Sequence, residues 1–218
     1  MFVTSYMSKT VTTVTPDVSL ALVKDKLSEG DFRHLPVVDK SGKLTGILTD
    51  RDLRSAYPSA MMAEKERAND LRRFEEMKVS EIMTAAVARL TLKSTLDDAL
   101  LLFDLSKVGA LPVVDDEQKV VGILSVRDLL NAYKQLFGLG EKGSALIAVE
   151  DDGKPHPLTR LTEALEKRAV PFSRLIRDIR SESNRGSHLI YIRVHTHNIS
   201  GVHTALAAAG FRTVTPAV

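Results

Sequence analysis

The chain has no cysteine and no tryptophan among its 218 residues, and aromatics make up only 5%. Without cysteine there is no disulfide, no thiolate nucleophile and no cysteine-bound zinc. The same absence suits a reducing cytosol. Charge of one sign is missing too. Thirty basic residues stand against 28 acidic ones, so no strong field is aimed at nucleic acid or a membrane. No apolar run reaches membrane-spanning length, and the opening MFVTSYMSK lacks the charged-then-apolar layout of a secretory signal. Also missing are a nucleophile beside its base, a paired-carboxylate pocket and a phosphate loop with its lysine, so no catalytic residue is expected. These features describe a soluble intracellular protein, long enough for two small domains.

What the chain does have is a repeat. Residues 7–55 and 83–131 align without a gap at an offset of 76, with 16 identities in 49 positions. The identities bunch in LPVVD (35–39 and 111–115) and in GILTDRDL (46–53) against GILSVRDL (122–129). Each copy reads β-α-β-β-α. KTVTTV or AAVARL opens as a strand. SLALVKDKLSEG or TLDDALLLFDLS is a helix, with Ser19 or Thr95 as its N-cap and Gly30 as a stop in the first copy. HLPVVD with LTGIL, and ALPVVD with VVGIL, form hairpins. A second helix starts at TDRDLRSAY or SVRDLLNAY. Such a unit cannot cover both faces of its sheet alone, so the two are expected to pack about a pseudo-twofold axis.

The expected boundaries are 1–57 for the first repeat and 79–137 for the second. An amphipathic linker helix occupies 58–78, with Leu71, Phe74 and Met77 at helical spacing. A glycine-rich hinge at 138–143 leads to a different module, 144–218. Its strands are SALIAVED, FSRLIRDIR, SHLIYIRVHT and FRTVTPAV. Its helices lie in HPLTRLTEALEKRAV and NISGVHTALAAAG, and SESNRG is a turn. The order β-α-β-β-α-β is that of a ferredoxin-like sandwich. The fold class is α/β, of the α+β kind. No carboxylate lies close in sequence to His195, His197 or His203, and His195 alternates with Tyr191 and Arg193 on an outer sheet face opposite Ile190, Ile192 and Val194, a reading favoured over a metal site. Arg174, Arg177 and Arg180 split between the two faces of their strand.

Thr49-x-x-Asp52 and Ser125-x-x-Asp128 carry two readings. As structure, each is a capping box at a helix start. As a site, each offers free N–H groups and a hydroxyl to a phosphate or ribose oxygen, and a carboxylate to a ribose cis-diol. Gly46 and Gly122 would let a ligand approach the backbone.

The repeat resembles the CBS domain, the cystathionine β-synthase repeat whose tandem pairs, called Bateman modules, bind adenosine-containing ligands. The matching residues are Met7, Leu35 to Asp39 and Gly46 to Asp52, then Met83, Leu111 to Asp115 and Gly122 to Asp128, within residues 1–135. The resemblance implies that Thr49, Asp52, Ser125 and Asp128 hold ribose and phosphate. It places Val11, Thr12 and Val14 around adenine in the first copy, and Val87 and Ala88 in the second. Arg33 and His34 would reach phosphate. Leu35, Pro36, Asp50, Leu111, Pro112 and Arg127 complete the two sites. Gly109 and Ala110 stand in the second copy where Arg33 and His34 stand in the first, and Val126 where Asp50 stands. The first site is therefore expected to prefer a charged phosphate, and the second a less charged adenosine ligand or none.

The C-terminal module resembles an ACT-like domain, and the whole layout resembles acetoin-utilisation-type CBS proteins. Together these imply a non-enzymatic cytoplasmic sensor and a homodimer. Its regulatory ligand would be AMP, ADP, ATP or adenosylmethionine, with an amino acid or other small ligand at the ACT-like domain. No metal, nucleic-acid or membrane partner is implied. The rival is a structural or protein-interaction module whose pockets bind nothing.

Overall fold

The computed structural model describes residues 1–30, 32–178 and 188–214. The expected turn SESNRG, Arg180 and the end of the last strand beyond Val214 lie outside the described residues. The chain divides into two compact units, Met1–Ala132 and Tyr133–Val218.

In the first unit, repeat 1 supplies α1 (Leu20–Glu29), β1 (His34–Val38), β2 (Leu44–Thr49) and α2 (Asp50–Ala56). Two helices follow, α3 (Glu64–Glu76) and α4 (Val79–Ile82). Repeat 2 supplies β3 (Leu90–Thr91), α5 (Leu96–Ser106), β4 (Ala110–Val114), β5 (Val120–Ser125) and the start of α6 (Val126–Phe137). The two hairpins share one register at the offset of 76: Leu35 pairs with Leu48 and Leu111 with Leu124, each followed by a bulge. The Asp that ends LPVVD makes the turn. Asp39 Oδ1 accepts from the Ser41 and Lys43 amides at 2.8 and 3.0 Å, and Asp115 Oδ1 from Glu117 and Lys119 at 3.0 and 2.9 Å. Leu35, Val37, Leu48, Leu111, Val113 and Leu124 are fully buried.

The opening strands are the main departure from expectation. KTVTTV forms no strand: only Val14 makes a single bridge to Val37. AAVARL contributes only Leu90 to the two-residue β3. The chain before each of these points crosses to the other repeat. Ser8 pairs with Ile123, and its counterpart Thr84 pairs with Ile47. The exchange reaches the helix starts. Leu96 N–H donates to Met1 O and Leu20 N–H to Met77 O, both at 2.9 Å. Ser19 makes no side-chain cap on α1, whereas Thr95 caps α5 by accepting from Asp98 N–H. Val79, Met77, Ile82 and Met83 pack into the core of repeat 1 beside Leu20, Val23 and Phe74.

The exchange also explains two glycines. A Cβ on Gly46 would lie 2.5 Å from Met83 Sδ, and one on Gly122 would collide with Met7 Sδ. The glycines make room for the methionine of the opposite repeat. That corrects the expectation that Gly46 and Gly122 are open to a ligand.

The second unit has β6 (Ser144–Glu150), α7 (Pro157–Glu166), β7 (Phe172–Asp178), β8 (Leu189–His195), α8 (Ile199–Ala208) and β9 (Thr213–Val214). Its sheet order is β7-β8-β6-β9, antiparallel throughout, which is ferredoxin-like topology. Ile147, Val149, Ile190, Ile192 and Val194 on one sheet face pack against Leu161, Leu165, Val202 and Leu206 of the helices. Arg177 pairs with the buried Asp151, while Arg174 stands opposite Arg193 on the other face. Arg193 lies on the face opposite Ile190, Ile192 and Val194, where it is only 7% exposed. Gly138, at φ +64°, lies against Arg174 and Arg193, and a Cβ there would meet both. The Arg174 guanidinium closes the end of α6 by donating to Gln135 O and Leu136 O. His195 is taken up by Ser173 at 2.7 Å, and His203 by Thr213 at 3.1 Å.

Candidate functional site

The question posed by the two Thr/Ser-x-x-Asp elements has a geometric answer. Both capping boxes are formed. Asp52 Oδ2 accepts from Thr49 N–H at 2.8 Å and Thr49 Oγ1 at 2.7 Å. Asp128 Oδ2 accepts from Ser125 N–H and Oγ at 2.8 and 2.7 Å. Thr95 and Asp98 make the same box, at 2.7 and 2.8 Å, on α5. The surroundings differ. Thr49 with Asp52, and Ser125 with Asp128, each line a cleft, and Thr95 with Asp98 line neither. The boxes engage only Oδ2, so Oδ1 of Asp52 and of Asp128 accepts no hydrogen bond among the described residues.

The first cleft, about 430 Å³, is lined by Thr49, Asp50, Arg51 and Asp52 with Thr84, Ala86, Val87 and Ala88 across from them. The second, about 870 Å³, is lined by Ser125, Arg127 and Asp128 with Ser8, Thr10, Val11 and Thr12. The expected adenine-framing residues therefore change partners. Val87 and Ala88 face Asp52, and Val11 and Thr12 face Asp128, because the opening segments cross the pseudo-twofold axis. Residues 9–13 make no backbone–backbone hydrogen bond among the described residues. Polar backbone of that kind at a cleft edge is free to pair with the rim of a flat heterocycle.

Other expected site residues lie elsewhere. Val14 is 5% exposed and sits in the core of repeat 1. Leu35, Pro36, Leu111 and Pro112 are buried hairpin residues that line neither cleft. Gly46 and Gly122 are covered by methionine. Sequence reasoning missed Ile47, Arg51, Arg54, Thr84, Ala86, Lys107 and Val108 in the first cleft, and Ser8, Thr10, Phe32, Ile123 and Asn131 in the second. Their common signal was the offset of 76 itself, which makes Ser8, Thr10 and Phe32 the counterparts of Thr84, Ala86 and Val108.

The cations also fall differently from expectation. Arg33, His34, Gly109 and Ala110 line both clefts, so the second cleft does not lack basic groups. Arg54 is paired with Asp50 at 2.7 Å and Lys107 with Asp104 at 2.7 Å. Burial holds the His34 imidazole below the usual histidine range. The neighbouring Arg33 charge lowers it further, against the pull of Asp52.

A pH effect follows. The unfolded chain takes up a proton near 6.5, and folded His34 does so only at lower pH. Folding is then opposed by protonation. This contribution to stability is full above the unfolded value and falls as pH drops toward the folded one. Denaturant melts at about pH 7.5 and about pH 5 should show a larger acid loss in wild type than in His34→Gln. Equal losses would refute it.

Two pseudosymmetric clefts, each setting a capped carboxylate against the opening segment of the opposite repeat, define a tandem-repeat module. The family model for the CBS domain matches residues 3–59 and 79–135, and the chain belongs to the CBS domain family. A CBS domain-containing protein of Dictyostelium discoideum is 35% identical over 134 residues, covering 60% of this chain and 90% of that protein. An inosine-5'-monophosphate dehydrogenase of Methanocaldococcus jannaschii is 30% identical over 72% of this chain but only 28% of its own length. Many solved structures align with this chain. The CBS domain pair of protein MJ0100, in complex with 5-methylthioadenosine and S-adenosyl-L-methionine, is 26% identical with a TM-score of 0.52, over 62% of this chain and 98% of that one. CBSX2 in complex with AMP is 26% identical with a TM-score of 0.53, over 62% and 98%. A candidate acetoin utilization protein (AcuB) from Vibrio cholerae is 27% identical with a TM-score of 0.52, over 65% and 96%. Among the described residues, no helix is long and apolar enough to cross a membrane.

Proposed function

We propose that the chain is a non-enzymatic cytoplasmic sensor whose two clefts take an adenosine-containing ligand. The observation that carries this is the pair of carboxylates, Asp52 and Asp128, each placed by its capping box with Oδ1 left over. A ribose cis-diol supplies two donors to such an oxygen, and at the second cleft the unpaired backbone of residues 9–13 suits an adenine edge. Complexes of similar CBS pairs with AMP and with S-adenosyl-L-methionine support the ligand class. The ligand is AMP, ADP, ATP or adenosylmethionine. Occupancy is relayed to the C-terminal ferredoxin-like unit, which acts as an ACT-like output domain and takes an amino acid or other small ligand. Such a relay requires differential affinity worth about 1–3 kcal/mol between two arrangements. The test is a thermal-shift panel of these four compounds. At least one should raise the melting temperature of the full chain, and indifference to all four would end the reading.

The chain is also proposed to act as a homodimer through α5. Leu100, Leu101 and Leu105 are 49%, 64% and 79% exposed, and Leu130 of α6 is 59% exposed. At the same fold positions repeat 1 carries Lys24, Asp25, Glu29 and Arg54. The fold does not demand apolar residues there, and an apolar face does not match the charged face of repeat 1. A second copy, pairing repeat 2 with repeat 2 about a twofold axis, is the matching occupant. Light scattering after size exclusion should give a dimer. Leu101→Glu with Leu105→Glu should weaken it at least about tenfold. A monomeric wild type, or a variant that dimerises equally well, would overturn this.

A further inference from the structure

Arg33 and His34 sit at the start of β1, and their counterparts Gly109 and Ala110 at the start of β4. All four line both clefts. Residues nearest a pseudo-twofold axis face both halves, so a symmetric module would place two Arg-His pairs in this wall. Here there is one set. A Cβ on Gly109 would lie 2.9 Å from His34 Nε2, so the imidazole fills the space that a second side chain would need. The other cations do not break the tie. Arg51 and Arg127 are counterparts, one at each cleft, and Arg54 and Lys107 are already paired with acids. Arg33 has no ion pair among the described residues, so its guanidinium is available to either side.

We infer that Arg33 and His34 are one anion-recognising wall shared by both clefts, so that the module holds one phosphate-bearing adenosine ligand at a time and admits two uncharged ones. This rests on the nucleotide reading above and adds a stoichiometry and a specificity to it. A phosphate in one cleft draws the guanidinium and imidazole to itself through charge-assisted hydrogen bonds. The second cleft is left with a weaker set of donors and a neighbouring negative charge.

Titration calorimetry of the full chain with adenosine and with AMP separates the cases, because the two probes differ only in the phosphate. Adenosine should fill two sites of similar affinity. AMP should fill one site, with the second weaker by at least about tenfold. In Arg33→Ala with His34→Gln, shown to be folded by its thermal melt, the two AMP affinities should converge. Equal AMP sites in wild type would overturn the shared wall, as would a gap that survives in the double variant. A single adenosine site would assign the asymmetry to cleft shape and overturn it as well. No heat from either probe would instead overturn the nucleotide reading itself, and the shared wall with it.

Discussion

Asp52→Ala with Asp128→Ala should abolish the thermal response to AMP, whereas Asp98→Ala should keep it, although all three positions close the same kind of helix cap. Each lost cap costs about 1 kcal/mol. The double variant should therefore lose about 2 kcal/mol of stability and Asp98→Ala about half of that. Those costs belong to the cap and say nothing of a ligand. The ligand appears in the difference. AMP at about 100 times its dissociation constant stabilises a folded chain by about 2.7 kcal/mol. Removing a carboxylate that accepts from a sugar diol raises that constant about a hundredfold, and the same AMP concentration then supplies only about 0.4 kcal/mol. Asp98 is the internal standard, because its box matches in geometry and lines neither of the two clefts. Denaturant melts with and without AMP measure all of it. If the double variant keeps the full shift, the carboxylates are caps and nothing more.

The second large effect concerns the exchange of opening segments. Gly46→Ala should cost about 1–3 kcal/mol, because the added methyl falls on Met83 Sδ with Thr84 O also close, at 3.2 Å. Gly122→Ala should cost a similar amount against Met7. The specific expectation is non-additivity. Met83→Ala removes the atom in the way, so Gly46→Ala with Met83→Ala should be less destabilised than the sum of the single changes by at least about 1 kcal/mol. The mismatched pair, Gly46→Ala with Met7→Ala, should add without such relief, because Met7 packs on the other glycine. Chemical denaturation of these five variants and of Met7→Ala decides it. Additive costs in the matched pair would mean that the methionines do not hold the two repeats in register.

Much of the fold was legible because local chemistry repeats itself. LPVVD followed by a turn and GIL specified a hairpin, and the paired registers follow the offset of 76 residue for residue. Asp39 and Asp115 make turns that their type alone predicted. The opening strands failed for the opposite reason. KTVTTV has strong β character, but its own repeat pairs only Val14, and tertiary pairing at Ser8 draws the chain away. The same event misdirected the site. Val11 sits closest in sequence to the first Thr-x-x-Asp element, yet it lines the cleft of the second.

The order of residues alone determined that there are two copies of one unit followed by a different module. It also determined which side chains form hairpins, turns and caps, because those depend on groups a few positions apart. Only the tertiary structure decided which carboxylate meets which backbone segment, why Gly46 and Gly122 must be small, and that one Arg-His pair lines two clefts. Those facts depend on chains meeting across a pseudo-twofold axis, and sequence spacing carries no record of which partner lies on the far side.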